Sequence, residues 1–388
     1  MELSSISIAI TSLVSALFSP GAIFTTGVNG AWYDPSDFST MFQDAAGTTP
    51  VTAVGQPVGL MLDKSKGLVL GPEKWTTNPT IDANWTKNGD GSFTSNGNSG
   101  FITVAINGVT VNGKWYKATM TIKSATAGLV SIPYDGTSPK YYGSAGTYTW
   151  YFPADADGGL YIYASGFAGT IDNISVRELP GNHAFNPSGN SANFPVLQQD
   201  GTGRYYLAFN GVNQWLQTNS IDFTYGDKMF VSAGVRKLSD AATGLIAELS
   251  SVADTNNGSF LIAAPGGPSL NDYTPGLRGT AFALRRSNNF AAPLSSVIST
   301  SMDISGSTRE TEISPKVNGT IPASITGAGA ADAGTGNYGN YPLYIGARAG
   351  SSLWFNGRLY GLVVAGKQAS ASEITNTESW LNQKTGAY

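Results

Sequence analysis

The 388-residue sequence predicts an all-β protein, and three observations carry that prediction. Charged residues make up 12% of the chain, about half the share of roughly a quarter in ordinary globular domains. Forty-eight glycines, with abundant Ser, Thr and Asn, take up the difference; Gly and Asn supply the positive-φ positions of tight turns between short strands. Apolar residues also alternate with period two along many runs, while long Glu/Lys/Ala-type helices are absent apart from the two ends.

Residues 1–28 read as an apolar, Ser/Thr-rich arm. Its only early charge is Glu2, so it lacks the basic start of a signal peptide, and its hydroxyls and Pro20-Gly21 argue against a membrane span. Such an arm must bury itself, on its own chain or on a neighbour. The stretch "WYDPSDFSTMFQDAAGTTPV" then brings together Asp34, Asp37 and Asp44. A catalytic acid pair is one reading. The expected one is structural: Asp34 as N-cap, Pro35 at the first helical position, Asp37 in the first turn, an apolar stripe of Phe38, Met41 and Phe42, and Gly47 as the stop.

A middle zone follows, of short strands separated by Gly, Pro and Asp turns. In "GKWYKATMTIKSATAG", Tyr116, Ala118, Met120 and Ile122 point one way, to a core; Trp115, Lys117, Thr119, Thr121 and Lys123 point the other, to solvent or a groove. From residue 181, runs such as "RYYLAFNGVNQWLQT", "DKMFVSAGVRKL", "GLIAELSS", "GSFLIAAP" and "FNGRLYGLVVAGK" imply a second, larger sandwich. "SASEITNTESWLNQKTG" closes the chain as a helix starting at Ala371 or Ser372, with Ile374, Trp380 and Leu381 on one face.

The composition narrows the chemistry. Net charge is −4 and the one dense basic spot, Arg285-Arg286, stands alone, which argues against nucleic acid as a partner. No cysteine means no disulfide, Fe–S cluster or thiolate zinc site. The single histidine, His183, cannot anchor a metal alone. "GAGAADAGTGNYGN" lacks the lysine of a phosphate loop and is expected to be a flexible loop before a strand at Leu343. No pair among the acids stands out for glycoside hydrolysis, so no catalytic residue, metal or cofactor is assigned. What remains is binding: an aromatic ring can stack on the apolar face of a sugar while amides and carboxylates bond its hydroxyls. The candidates are Trp85, Trp115, Tyr141, Tyr142 and Tyr151 in the middle zone, with Asn210 and Trp215 in the larger one; Tyr148, Trp150 and Phe152 are expected in a core.

"GAWYDPSDFSTMFQDAAGTTPVTAVGQPVGLMLDKS" resembles the opening of a group of tailed-bacteriophage and prophage virion proteins. "RYYLAFNGVNQWL" and "LWFNGRLYGLVVAGKQASASEITNTESWLNQKTG" resemble the first and last strands of the concanavalin A-like (laminin-G/pentraxin-like) jelly roll of that group. The resemblance implies that residues 29–71 plus 181–388 are one host jelly roll, into which residues 72–180 are inserted as a guest sandwich similar to a carbohydrate-binding module. The fold class is thus two β-sandwich (jelly-roll) domains, the smaller inserted into the larger. Where relatives carry acids for calcium, this chain has Asn210, Asn213 and Gln214, neutral ligands that suit a hard cation poorly; Asp200, Asp222 and Asp227 leave a weak calcium site open. The resemblance implies a fibre, tailspike or capsid-surface appendage of the virion, made in the host cytoplasm and homo-oligomeric, a trimer being one arrangement. Its implied partners are other virion proteins, through the arm, and bacterial surface glycans, with no membrane partner. A purely structural head or tail component and a polysaccharide depolymerase are the alternatives.

Overall fold

The computed structural model describes residues 18–76, 78–104, 109–135 and 139–388. The chain divides into two compact units. One comprises Met1–Ala45, Pro50–Gly67 and Asn182–Tyr388; the other comprises Ala46–Thr49 and Leu68–Gly181. Among the described residues, no helix is long and apolar enough to cross a membrane.

The larger unit is a sandwich of two antiparallel sheets. In the first, Asn356–Ala365 lies between Lys228–Lys237 on one side and Gly30–Tyr33 and Tyr205–Asn210 on the other; Leu294–Asp303 and Ile313–Val317 extend it. The second is built of ten strands, from Met41–Phe42 through Leu216–Asp222, Asn340–Ile345 and Leu245–Leu249 to Ile325–Gly329. Alternate residues of both sheets, such as Met229, Val231, Ala233 and Val235 against Leu216, Phe260, Ile262 and Leu343, share one buried core. Lys228–Lys237 is buried on its other face as well. There Phe230, Val297 and Val363 meet Trp380 and Leu381 of the C-terminal helix Ala371–Thr385, together with Ile23 and Phe24. That helix begins at an N-cap, Ser370, whose capping box closes on Glu373. Residues 18–28 of the arm thus pack on their own chain; the rest of the arm, residues 1–17, lies outside the described residues.

Two local expectations are corrected. Residues 34–47 form no α-helix: Phe38–Thr40 is a 3-10 turn, and Met41–Phe42 is a strand paired with Leu60–Met61. Cross-strand pairing and burial outweigh the local helix signal. Asp34 instead accepts bonds from the Ser36 amide and hydroxyl and from Lys384 Nζ at 3.0 Å, while Asp37 takes Lys64 Nζ at 2.6 Å. "GAGAADAGTGNYGN" is not loop throughout. Its first three residues lie in the strand Ile325–Gly329, and Ala333 and Tyr338 are buried. Both carboxylate oxygens of buried Glu312 accept from the Ala333 amide at 2.9 Å.

One buried carboxylate of the larger unit gathers three of that unit's own chain segments. Asp63 accepts from the amides of Trp32 (2.8 Å), Ser65 (2.8 Å) and Asn182 (2.7 Å) and from the Ser65 hydroxyl (2.7 Å). Its own amide donates to Nδ1 of buried His183 at 2.9 Å. Burial raises its carboxyl pKa even against those hydrogen bonds. The sole histidine, on the segment that returns at Asn182, is therefore a buried acceptor for the amide of Asp63 on the segment that leaves.

The smaller unit is an eight-stranded antiparallel sheet organised by two long strands, Trp115–Ser131 and Leu160–Glu178. They pair over most of their length, with register shifts near Ser165, Ala168, Thr170 and Asp172. Such bulges bend the sheet so that both halves enclose one core. At one bend Gly128 has φ +67 and a side chain there would sit 2.0 Å from the Gly166 carbonyl oxygen, so only glycine fits. Tyr116, Ala118, Met120 and Ile122 all face that core.

Replacing Asp63 by alanine leaves the Trp32 and Asn182 amides without their acceptor. Urea unfolding is expected to show the larger unit destabilised by about 3 kcal/mol. A second expectation concerns pH. Burial, only partly offset by the Ala333 bond and reinforced by nearby Asp332, pushes the Glu312 carboxyl from 4.5 up to about 7. Between those values the folded state holds the extra proton, so stability should fall as pH rises from 4.5 to 7, by up to about 3 kcal/mol. Glu312→Gln should flatten that decline in unfolding curves taken across the window.

Candidate functional site

Strand alternation in one half of the smaller unit builds an aromatic outer face. Gly100–Val104 pairs with Leu160–Ala164 so that Phe101 stands opposite Tyr163 and Thr103 opposite Tyr161; Thr80 pairs with Thr103 beyond. On the other side Ala164 pairs with Val130 and Ser165 with Leu129, and Ser131 then pairs with Tyr141. Ile102, Val104, Leu160, Ile162, Ala164 and Val130 point into the core. Their neighbours Phe101, Thr103, Tyr161, Tyr163, Leu129 and Tyr141 therefore emerge on the outer face.

This face is open to solvent. Phe101 and Leu129 are each 45% exposed and Tyr141 39%, with Tyr161 and Tyr163 half-buried beside them. The rings of Phe101 and Tyr163 lie 4.6 Å apart between centroids at 39°; Tyr134 lies 6.1 Å from Tyr161 at 50°. Burial, with Tyr141, Tyr161, Tyr163 and Asp135 close by, raises the pKa of the Tyr134 phenol. It stays neutral near pH 7, able to donate and to accept. Thr80 and Thr103 add hydroxyls, while Ser131 is buried and its hydroxyl oxygen accepts the Tyr163 amide at 2.8 Å. The chemistry offered is stacking and neutral hydrogen bonding; among its described residues the face presents no nucleophile–base pair and no pair of facing carboxylates.

Of the seven sequence candidates, only Tyr141 belongs to this face. Trp85 is 4% exposed and lies 6.3 Å from Phe167 within the core. Trp115 is 2% exposed. Alternation assigned its side correctly relative to Tyr116, but it does not reveal what covers that side. Tyr151 is buried, with Lys117 Nζ 5.8 Å above its ring. Tyr142 turns inward and stacks on Tyr148 at 3.9 Å. In the larger unit Trp215 is buried beside Tyr344, and a side chain on Gly350 would strike its indole. Asn210 is exposed, but its carbonyl accepts the Val212 and Asn213 amides and its amide bonds Asn213 Oδ1, so it shapes its own turn. Sequence reasoning missed Phe101, Leu129, Tyr161 and Tyr163. The signal was present as alternation in "GFITV" and "LYIYAS", but not the pairing that brings the two runs together.

Several acids of the larger unit are held in ion pairs and backbone contacts. Asp34 and Asp37 share Lys64, at 3.6 and 2.6 Å, while Lys384 holds Asp34. Buried Glu248 is gripped by Arg348 at 2.8 Å and by the Ala253 amide. Among the described residues no group of three or more His, Asp or Glu stands where it could hold a metal ion.

No protein-family model matches the sequence, and no curated protein matches it. Among solved structures, the CBM40 of Ruminococcus gnavus IT-sialidase bound to α2,3-sialyllactose aligns over 39% of this chain and 82% of its own, at 12% identity and TM-score 0.29. Its complex with α2,6-sialyllactose aligns over 39% and 83%, with the same identity and score. Trypanosoma rangeli sialidase in complex with the inhibitor DANA aligns over 77% of this chain and 62% of its own, at 9% identity and TM-score 0.35.

The face and the core separate experimentally. Trp85→Ala should cost the smaller unit about 3–5 kcal/mol by leaving a cavity, whereas Phe101→Ala should change stability by less than about 1 kcal/mol. Urea unfolding of the two variants checks this.

Proposed function

We propose that the protein is a glycan-binding appendage of a bacteriophage virion that holds bacterial surface polysaccharide without cleaving it. The observation that carries the binding reading is the outer face of Phe101, Tyr163, Tyr161 and Tyr141. Several rings gathered on one open surface, with hydroxyls and no charged pair between them, suit the apolar C–H faces of successive sugar residues. The virion reading rests on the resemblance of residues 29–71 and 181–388 to phage proteins. In this role the larger unit is the scaffold, and the N-terminal arm attaches it to the particle or to sister chains.

Binding proceeds by displacement of water from the rings, stacking, and hydrogen bonds from neutral phenols and threonine hydroxyls to sugar hydroxyls. Individual contacts of this kind are worth about 0.5–1.5 kcal/mol. Affinity therefore accumulates along a chain of sugars and across copies in an oligomer. Arrays of bacterial capsular and lipopolysaccharide glycans should retain the protein. Phe101→Ala and Tyr141→Ala should each weaken retention by roughly two- to tenfold, with the eluted glycans unchanged in length. Retention unaffected by both substitutions contradicts the assignment of the face, and shortened glycans contradict the absence of turnover.

A further inference from the structure

We propose that the smaller unit carries a second, pocket-shaped site that takes a single neutral sugar residue, at the other end of the long strand from the aromatic face. The pocket holds about 260 Å³ and is lined by Trp75, Phe93 and Ile174, with Lys87, Asp172 and Asn173 contributing polar groups. Small-molecule sites commonly span roughly 300–1,000 Å³, so this one admits a ring and not a chain.

Its walls are built rather than accidental. Opposite Thr121 and Thr119 the long strand has an extra residue between Asp172 and Ser175, a bulge that lifts Asn173 and Ile174 out of the ladder beside paired Asp172. Asn173 lies at its apex in the left-handed region, φ 51, a conformation an L-residue adopts at a cost of about 1 kcal/mol. Strain of this kind persists where the surroundings enforce it. Here they do: the Glu73 carboxylate accepts from the Val176 amide at 2.7 Å, the Ser175 hydroxyl at 2.6 Å and the Trp75 amide at 3.0 Å. One acid thus fastens the Trp75 segment to the bulged strand, and the Lys74 amide adds a bond to the Val176 carbonyl at 2.7 Å.

The groups that converge are those a sugar needs. Half-buried Trp75 offers an indole surface for the C–H face of a ring. The Asp172 carboxylate, which takes the Asn173 amide at 2.8 Å on Oδ1 and has Lys123 Nζ at 3.6 Å from Oδ2, keeps lone pairs to accept hydrogen bonds from sugar hydroxyls. Asn173 both donates and accepts, and Lys87, which also bonds Asn78 Oδ1 at 2.9 Å, donates. With one acid and one base on the wall, neither an anionic nor a cationic ligand is favoured. The pocket's size and sidedness fit a terminal residue entering end-on.

The test uses the full chain labelled with ¹⁵N and follows tryptophan indole N–H resonances by NMR during titration with methyl glycosides of neutral hexoses and N-acetylhexosamines. Trp75→Phe identifies the Trp75 signal. At least one glycoside should shift that signal saturably, and Asp172→Asn should weaken the binding at least tenfold while the other indole signals stay in place. A Trp75 signal unmoved by every glycoside of the panel overturns the site, as does binding that Asp172→Asn leaves intact. Because the reporter is Trp75 itself, the result is independent of whether the aromatic face binds glycan.

Discussion

A chain that leaves one sandwich at Gly67 and returns to it at Asn182 must have both ends of the excursion held in place, and Asp63 does that. Its carboxylate bonds the returning Asn182 amide, the Trp32 amide of an adjoining strand and its own turn, all without contact with water. Closing so long a loop costs conformational entropy that rises only slowly with length. A folded insert whose own ends are tied together lowers that cost further; the Gly71 amide reaches the Glu178 carbonyl at 2.8 Å. His183, whose imidazole might suggest catalysis, supplies the acceptor for the Asp63 amide. The most chemically conspicuous residues of the chain thus serve connectivity.

Burial of both faces shapes what is left for binding. In the larger unit the strands Lys228–Lys237 and Asn356–Ala365 are covered on one side by the opposing sheet and on the other by the C-terminal helix and residues 18–28. Trp32 and Trp380 meet edge to face at 5.8 Å there, with Lys64 and Lys384 over their rings. Those aromatics are consumed by packing. The smaller unit has one core and leaves an outer sheet face open, and its surplus of tyrosines therefore reaches solvent.

Strand-level structure was legible because the period-two code is local. Tyr116, Ala118, Met120 and Ile122 are placed by sequence alone, and so is the C-terminal helix with its Trp380–Leu381 face. Residues 34–42 misled because Asp-Pro and spaced aromatics are genuine helix-start chemistry, overridden when Met41–Phe42 found Leu60–Met61 as partners. The binding face was illegible for a different reason. Phe101, Leu129, Tyr141 and Tyr163 come from four separate stretches, and only the pairing register makes them neighbours. Trp115 shows the converse: its side of the strand was readable, its cover was not.

The central claim is that open rings meet sugar and leave it whole. Saturation-transfer NMR tests it directly, with the protein's aromatic protons irradiated and oligosaccharides released from bacterial surface polysaccharide as the probe. The account predicts that saturation reaches ring C–H protons of the sugar and that the oligosaccharide spectrum is unchanged after prolonged incubation. Absence of transfer to every oligosaccharide offered, or the appearance of new reducing-end signals, contradicts it.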